Sequence, residues 1–153
     1  MDHISHHHSC RTIFVPNTNF TVGAFIRFQI ADTDAYAAVL LLHKSALVAA
    51  LLENPANPLS TEFTPSLLSA NRCASLLTQT LVGQFEEHPE AYLHFWFPWV
   101  QGFCAAMIFG SIGVRSPGCT LAGAAVADLS SVVELFQKGE ARGSRRAAIV
   151  LVS

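Results

Sequence analysis

From residue 64 onward the apolar positions fall into a helical rhythm. In TPSLLSANRCASLLTQTLVGQF, Leu67, Ala70, Ala74, Leu77, Leu81 and Phe85 recur at steps of three or four, with Arg72, Ser75 and Gln79 on the other side. That spacing predicts an amphipathic helix of a soluble bundle. Thr64 is the expected N-cap, Pro65 belongs in the first turn where its missing N–H costs nothing, and the polar run Glu86-Glu87-His88-Pro89 is expected to end the helix. A second stripe, Leu121, Ala125, Leu129, Val132 and Phe136, predicts a helix from Thr120 to Gly139. Gly139 is its expected C-terminal cap, because glycine tolerates the left-handed conformation there. Glu134 and Lys138 form an i,i+4 pair of favourable orientation within it.

Upstream the pattern is less periodic. AYAAVLLLHKSALVAALLEN predicts a helix capped by Asp32 or Asp34 and stopped by Asn54-Pro55. It is apolar nearly all round apart from His43, Lys44 and Ser45, which predicts a place at the centre of the core. Thr12 to Ile30, TIFVPNTNFTVGAFIRFQI, is rich in Phe, Val, Ile and Thr with turn residues at Pro16-Asn17 and Gly23, and reads as a strand or an irregular segment. At the other end EARGSRRAAIVLVS reads as a helix cut off as it begins. The fold class expected is therefore all-α: an irregular helical bundle of four main helices plus a truncated fifth over residues 32–153, preceded by a poorly structured segment at 1–31.

The stretch Phe95 to Cys119, FWFPWVQGFCAAMIFGSIGVRSPGC, is the most apolar part of the chain and admits two readings. Its uncharged run from Phe95 to Val114 reaches the roughly 20 residues that a membrane span needs. Pro98, however, places the helix start near itself, which leaves about 17 residues or about 25 Å of helix. Gln101, Gly102, Gly110 and Gly113 interrupt the run, and only Arg115 flanks it closely. Ala105, Ala106 and Gly110 share one face and predict a close helix contact there, with Gly110 expected to tolerate no bulky side chain. Phe95, Trp96, Phe97 and Trp99 fit a core, a pocket or an interfacial belt, and filling a core is the commonest use of such a cluster.

Composition sharpens this. With 153 residues there is room for one core. Hydrophobic residues make up 51% and charged residues 13%, and the mean hydropathy of +0.38 is high for a domain that covers itself with polar groups. The excess calls for cover from a membrane or from further protein. A formal net charge of -2 gives no electrostatic case for binding a polyanion. Cys10, Cys73, Cys104 and Cys119 are too scattered for a zinc module or a disulfide scaffold, and read as buried free thiols of an intracellular protein. No apolar signal-peptide core follows Met1.

Candidate chemistry is sparse. His3, His6, His7, His8 and Cys10 are metal-capable, but a short terminal tract lacks the fold that fixes ligand geometry and reads as a solvated tail. His43 reads as a packed histidine rather than a ligand or a proton carrier. Glu86, Glu87, His88 and Glu90 read as a solvated loop beside Pro89, and Arg142, Arg145 and Arg146 as an exposed face. No nucleophile-histidine-acid set, phosphate loop, dinucleotide fingerprint or H-E-x-x-H site is written in the chain. Catalytic, cofactor and metal residues are accordingly expected to be none.

The ordered set LLLHKSALVAALL, PSLLSANRCASLL, FWFPWVQGFCAAMIFGSIGVRSPGC, LAGAAVADLSSVVELFQKG and SRRAA resembles the regulatory middle-homology domain of fungal zinc-cluster transcription factors, over about residues 34–150. The resemblance implies an all-helical, soluble, nuclear, non-enzymatic regulatory module, with Phe95 to Val114 buried in its bundle. It also implies a small-molecule effector or a coregulator protein as partner. The family's six-cysteine zinc cluster has no counterpart between Met1 and Ile30, so no direct DNA binding is expected of this chain. HKSA at His43 stands where His-Arg-Pro is common in related proteins, and the bare Ile149 to Val152 ending fits a fragment of a longer domain. The alternative reading is a small membrane protein with one span at about 95–114.

Overall fold

A computed structural model describes the backbone of residues 22–152 and the side chains of residues 33–152 apart from Ala91. The histidine-rich start and most of the segment from Thr12 lie outside the described residues. Six helices follow one another: α1 (Val22–Glu53), α2 (Thr64–Glu87), α3 (Pro89–His94), α4 (Phe97–Arg115), α5 (Ala122–Ala141) and α6 (Arg145–Val152), with a 3-10 turn at Pro58–Ser60. No strand occurs among the described residues. The protein is an all-α helical bundle.

The first helix corrects the expectation for the N-terminal part of the chain. It begins at Val22, so residues 22–31 belong to it and neither Asp32 nor Asp34 caps it. Phe, Ile and Val had favoured a strand there, but no proline intervenes between Pro16 and Pro55. Extending an existing helix adds one hydrogen bond for each residue fixed, whereas a separate element needs its own nucleus. Termination is as expected at Asn54-Pro55, and the Asn54 side chain organises it. Its Oδ1 accepts from the Asn57 N–H at 3.1 Å and its Nδ2 donates to Ser60 Oγ at 2.9 Å.

All six positions of the α2 stripe are buried, from Leu67 to Phe85. Thr78, also buried, is satisfied by donating to the Ala74 carbonyl at 2.9 Å. Thr64 is the first helical residue rather than the cap, and its hydroxyl donates to the Thr61 carbonyl at 2.8 Å. Beyond Glu87 the expected loop holds a further short helix, α3, with Pro89 in its first turn and Tyr92 buried. In α4 the start near Pro98 is as expected, and Trp99, Gly102, Ala105, Ile108, Phe109 and Ile112 point into the core.

The centre of the bundle is α2 with α4, not α1. Helix α2 packs against α1, α3, α4 and α5, whereas α1 packs on α2, α4 and the 3-10 turn. Leu40, Leu47, Ala50 and Leu51 of α1 are buried, while Leu41, Leu42, Val48 and Leu52 are exposed, Leu41 to 62% and Leu42 to 76%. Polar groups also tie α1 to α4, where Gln101 Nε2 donates to Asp34 Oδ1 at 3.0 Å.

Glycines in the second half of the chain take unexpected roles. The C-terminal cap of α5 is Gly143, at φ 90°, and not Gly139. The Gly143 N–H bonds the Glu140 carbonyl at 2.8 Å and the Ser144 N–H bonds the Gly139 carbonyl at 3.0 Å, the paired bonds of a Schellman ending. Ser144 then starts α6 by accepting the Ala147 N–H at 3.3 Å. Gly139 lies one turn earlier, buried under Trp99. A Cβ there would stand 2.8 Å from Cζ3 of that ring and closer still to Cη2. Gly110 is the opposite case: Ala105 is buried, but a Cβ on Gly110 would meet nothing within 4 Å, so the expected tight contact is absent there. Close approach in α4 occurs at Gly102, against Phe136 at 3.3 Å, and at Gly113, against Val126 at 3.2 Å.

Candidate functional site

Four aromatic rings from four helices meet at one end of the bundle. Phe85 of α2, Tyr92 of α3 and Trp99 of α4 are mutually edge-on at centroid distances of 5.8, 6.1 and 6.2 Å, and Phe136 of α5 lies 5.7 Å from Trp99. Edge-to-face pairs of this kind contribute about 0.5–1.5 kcal/mol each beyond their buried area. The Tyr92 hydroxyl donates to Gln84 Oε1 at 2.5 Å, and burial pushes the phenol well above its ordinary range, so it stays protonated. The Arg142 guanidinium sits 5.6 Å from the Phe85 ring centroid, within cation–π distance. Trp99 is only 2% exposed, and among the described residues its indole Nε1–H has no acceptor.

Outside this cluster α4 and α6 bound an apolar groove of ≈ 320 Å³. Trp96, Trp99, Val100 and Phe103 line it from α4, and Arg146, Ile149 and Val150 from α6. Arg146 is the single charged residue among the described residues that line it. Arg146 Nη1 donates to the His94 carbonyl at 3.1 Å, which ties the guanidinium to the end of α3. No carboxylate among the described residues forms an ion pair with it. Helix α6 also borders a shallower depression lined by Arg145, Ala148, Ile149 and Val152.

The structure distributes the residues singled out in the sequence as follows. His43 is half-buried on α1 and far in sequence from any of the groove's lining residues. The Glu86, Glu87, His88 and Glu90 group is split between the end of α2 and the start of α3, and no set of three His, Cys, Asp or Glu side chains among the described residues is placed to hold a metal ion. Glu86 and Glu134 share Lys138, at 3.8 and 2.9 Å, and the hydrogen bond and charge of Glu134 raise the Lys138 pKa. The three arginines are exposed but not equivalent: Arg142 caps the aromatic cluster, Arg145 borders the outer depression and Arg146 borders the groove. Cys73, Cys104 and Cys119 are free thiols, but only Cys119 is buried as expected; Cys73 and Cys104 are half-buried.

Two features escaped the sequence reading. Ser75 of α2 donates to the Asp128 carboxylate of α5, a pair separated by 53 residues. The groove was foreshadowed only by the aromatics at 96–99, since its other wall lies in α6. No protein-family model matches the chain, and comparison with curated proteins and with solved structures gives no significant match.

Proposed function

We propose that the chain is a non-enzymatic regulatory module of the fungal zinc-cluster transcription-factor type, acting in the nucleus. The observation that carries this reading is the arrangement of the segments behind the resemblance. LLLHKSALVAALL lies in α1, PSLLSANRCASLL in α2 and LAGAAVADLSSVVELFQKG largely in α5, while the Arg-Ser-Pro-Gly turn joins α4 to α5. Each segment thus supplies one wall of one bundle. In such a module an effector or coregulator shifts output by favouring one of two packings. The short α6 is held on α5 and the edge of α4.

The reading is tested by fusing the chain between a heterologous DNA-binding domain and an activation region in a fungal reporter strain. Restraint of reporter output by the chain, relieved by the core substitution Leu77→Ala, is the expected result. Unchanged output from a fusion that is expressed and nuclear would remove the regulatory reading.

A second reading, a membrane protein, is favoured by one observation. Thr33–Glu53 and Phe97–Arg115 are each long and apolar enough to cross a bilayer, and only 22% of the most apolar stretch in the first is buried, against 44% in the second. Recovery of the chain in carbonate-washed membranes would select this reading.

A further inference from the structure

We propose that the groove between α4 and α6 binds a small amphipathic monoanion, a carboxylic acid with a compact apolar body. The groove walls are aromatic and aliphatic, and ≈ 320 Å³ lies at the small end of the range for small-molecule sites. It suits a single ring or a medium-length acyl chain. Charge complementarity selects the head group. Among the described residues Arg146 is the one charge on the lining and no carboxylate neutralises it, and one of its nitrogens is already tied to the His94 carbonyl. A guanidinium held in this way offers its remaining N–H donors to a carboxylate, the planar anion whose two oxygens match its fork.

The proposal gives the regulatory reading a class of effector, and it rests on that reading only for what binding would signal. The chain's own fluorescence tests it, because Trp96 and Trp99 are its two tryptophans and both line the groove. The purified chain is titrated with decanoate below its micellar range, with decanol and decyltrimethylammonium as neutral and cationic controls. A saturable change in tryptophan emission is expected with decanoate, with both controls at least about tenfold weaker, the worth of one charge-assisted contact. Arg146→Met should weaken decanoate to the level of decanol and leave decanol unchanged, while Arg146→Lys should retain part of the difference. A circular dichroism melt of each variant separates lost binding from lost folding. Equal affinity for decanoate and decanol, a response that never saturates, or an Arg146→Met variant that binds decanoate normally would overturn the proposal. So would a concentration-dependent dimer whose formation alone shifts the emission, since a second copy would then occupy the groove. Absence of decanoate binding beside intact restraint of the reporter would strike this site alone; the converse would strike only the regulatory reading.

Discussion

Helices α1 and α2 lie side by side, and the more apolar of the two is the less buried. In α2 a stripe from Leu67 to Phe85 stands opposite Arg72 and Gln79 and every residue of it reaches the core, while Leu68 and Leu76 lie off the stripe and are exposed. Over Thr33–Glu53 helix α1 carries leucine, valine and alanine on all sides, yet only its face toward α2 and α4 is covered. Periodicity therefore reported burial, and apolarity alone did not. A stripe records which side of a helix water has been excluded from, whereas an all-round apolar helix records that something must cover the rest. In α1 that something is not among the described residues.

The largest expected effect sets the two helices against each other directly. Leu77 of α2 is fully buried, so Leu77→Ala should cost about 2–5 kcal/mol, the transfer free energy of the lost atoms plus the cavity left behind. Leu42→Ala in α1 should stay within about 0.5 kcal/mol. Urea unfolding of the two variants measures both. Comparable losses would mean that α1 is covered in solution and would break the comparison.

The glycines of α4 and α5 sharpen it. At Gly139 a methyl group runs into the buried Trp99 ring, which is itself hemmed in by Phe85, Tyr92 and Phe136. Gly139→Ala should destabilise by about 1–3 kcal/mol despite its better helix propensity. At Gly110 the same change meets open space in the interior of a helix, and Gly110→Ala should stabilise by about 0.5–1 kcal/mol. Opposite shifts in Tm from one chemical substitution would separate the packed face of the bundle from the bare one. A loss at Gly110 would restore the close contact that its sequence neighbours implied.

These cases show where the sequence was legible. The stripes of α2 and α5, the stop at Asn54-Pro55 and the start of α4 at Pro98 all follow from local chemistry, and the all-α class followed from them. The early start of α1 did not, because Phe25, Ile26, Phe28 and Ile30 carry strand propensity that a growing helix overrides. Helix α3 spans six residues, too few for a period to show. Gly139 was mistaken for the cap because two glycines lie four residues apart, and only the fold reveals that the first faces a tryptophan. The groove needed the same knowledge: Trp96 and Arg146 are meaningful together only once α6 is laid across α4.

The smallest expected effect on folding has the most to say about α1. Leu42 is 76% exposed, so Leu42→Lys should leave the unfolding free energy within about 0.5 kcal/mol of the parent if α1 faces water. A bilayer would answer differently, since a lysine in place of a leucine near the middle of a span costs about 3 kcal/mol or more on insertion scales. Lys44 already lies two positions away on the exposed side, so a second lysine would double the charge to be placed in lipid. The measurement is the distribution of parent and variant between cytosol and carbonate-washed membranes, paired with a urea melt of the soluble fraction. Two soluble proteins with matching melts would place the outer face of α1 in water or against a soluble partner. A parent held in the membrane and a variant released from it would make the bilayer the cover that α1 lacks.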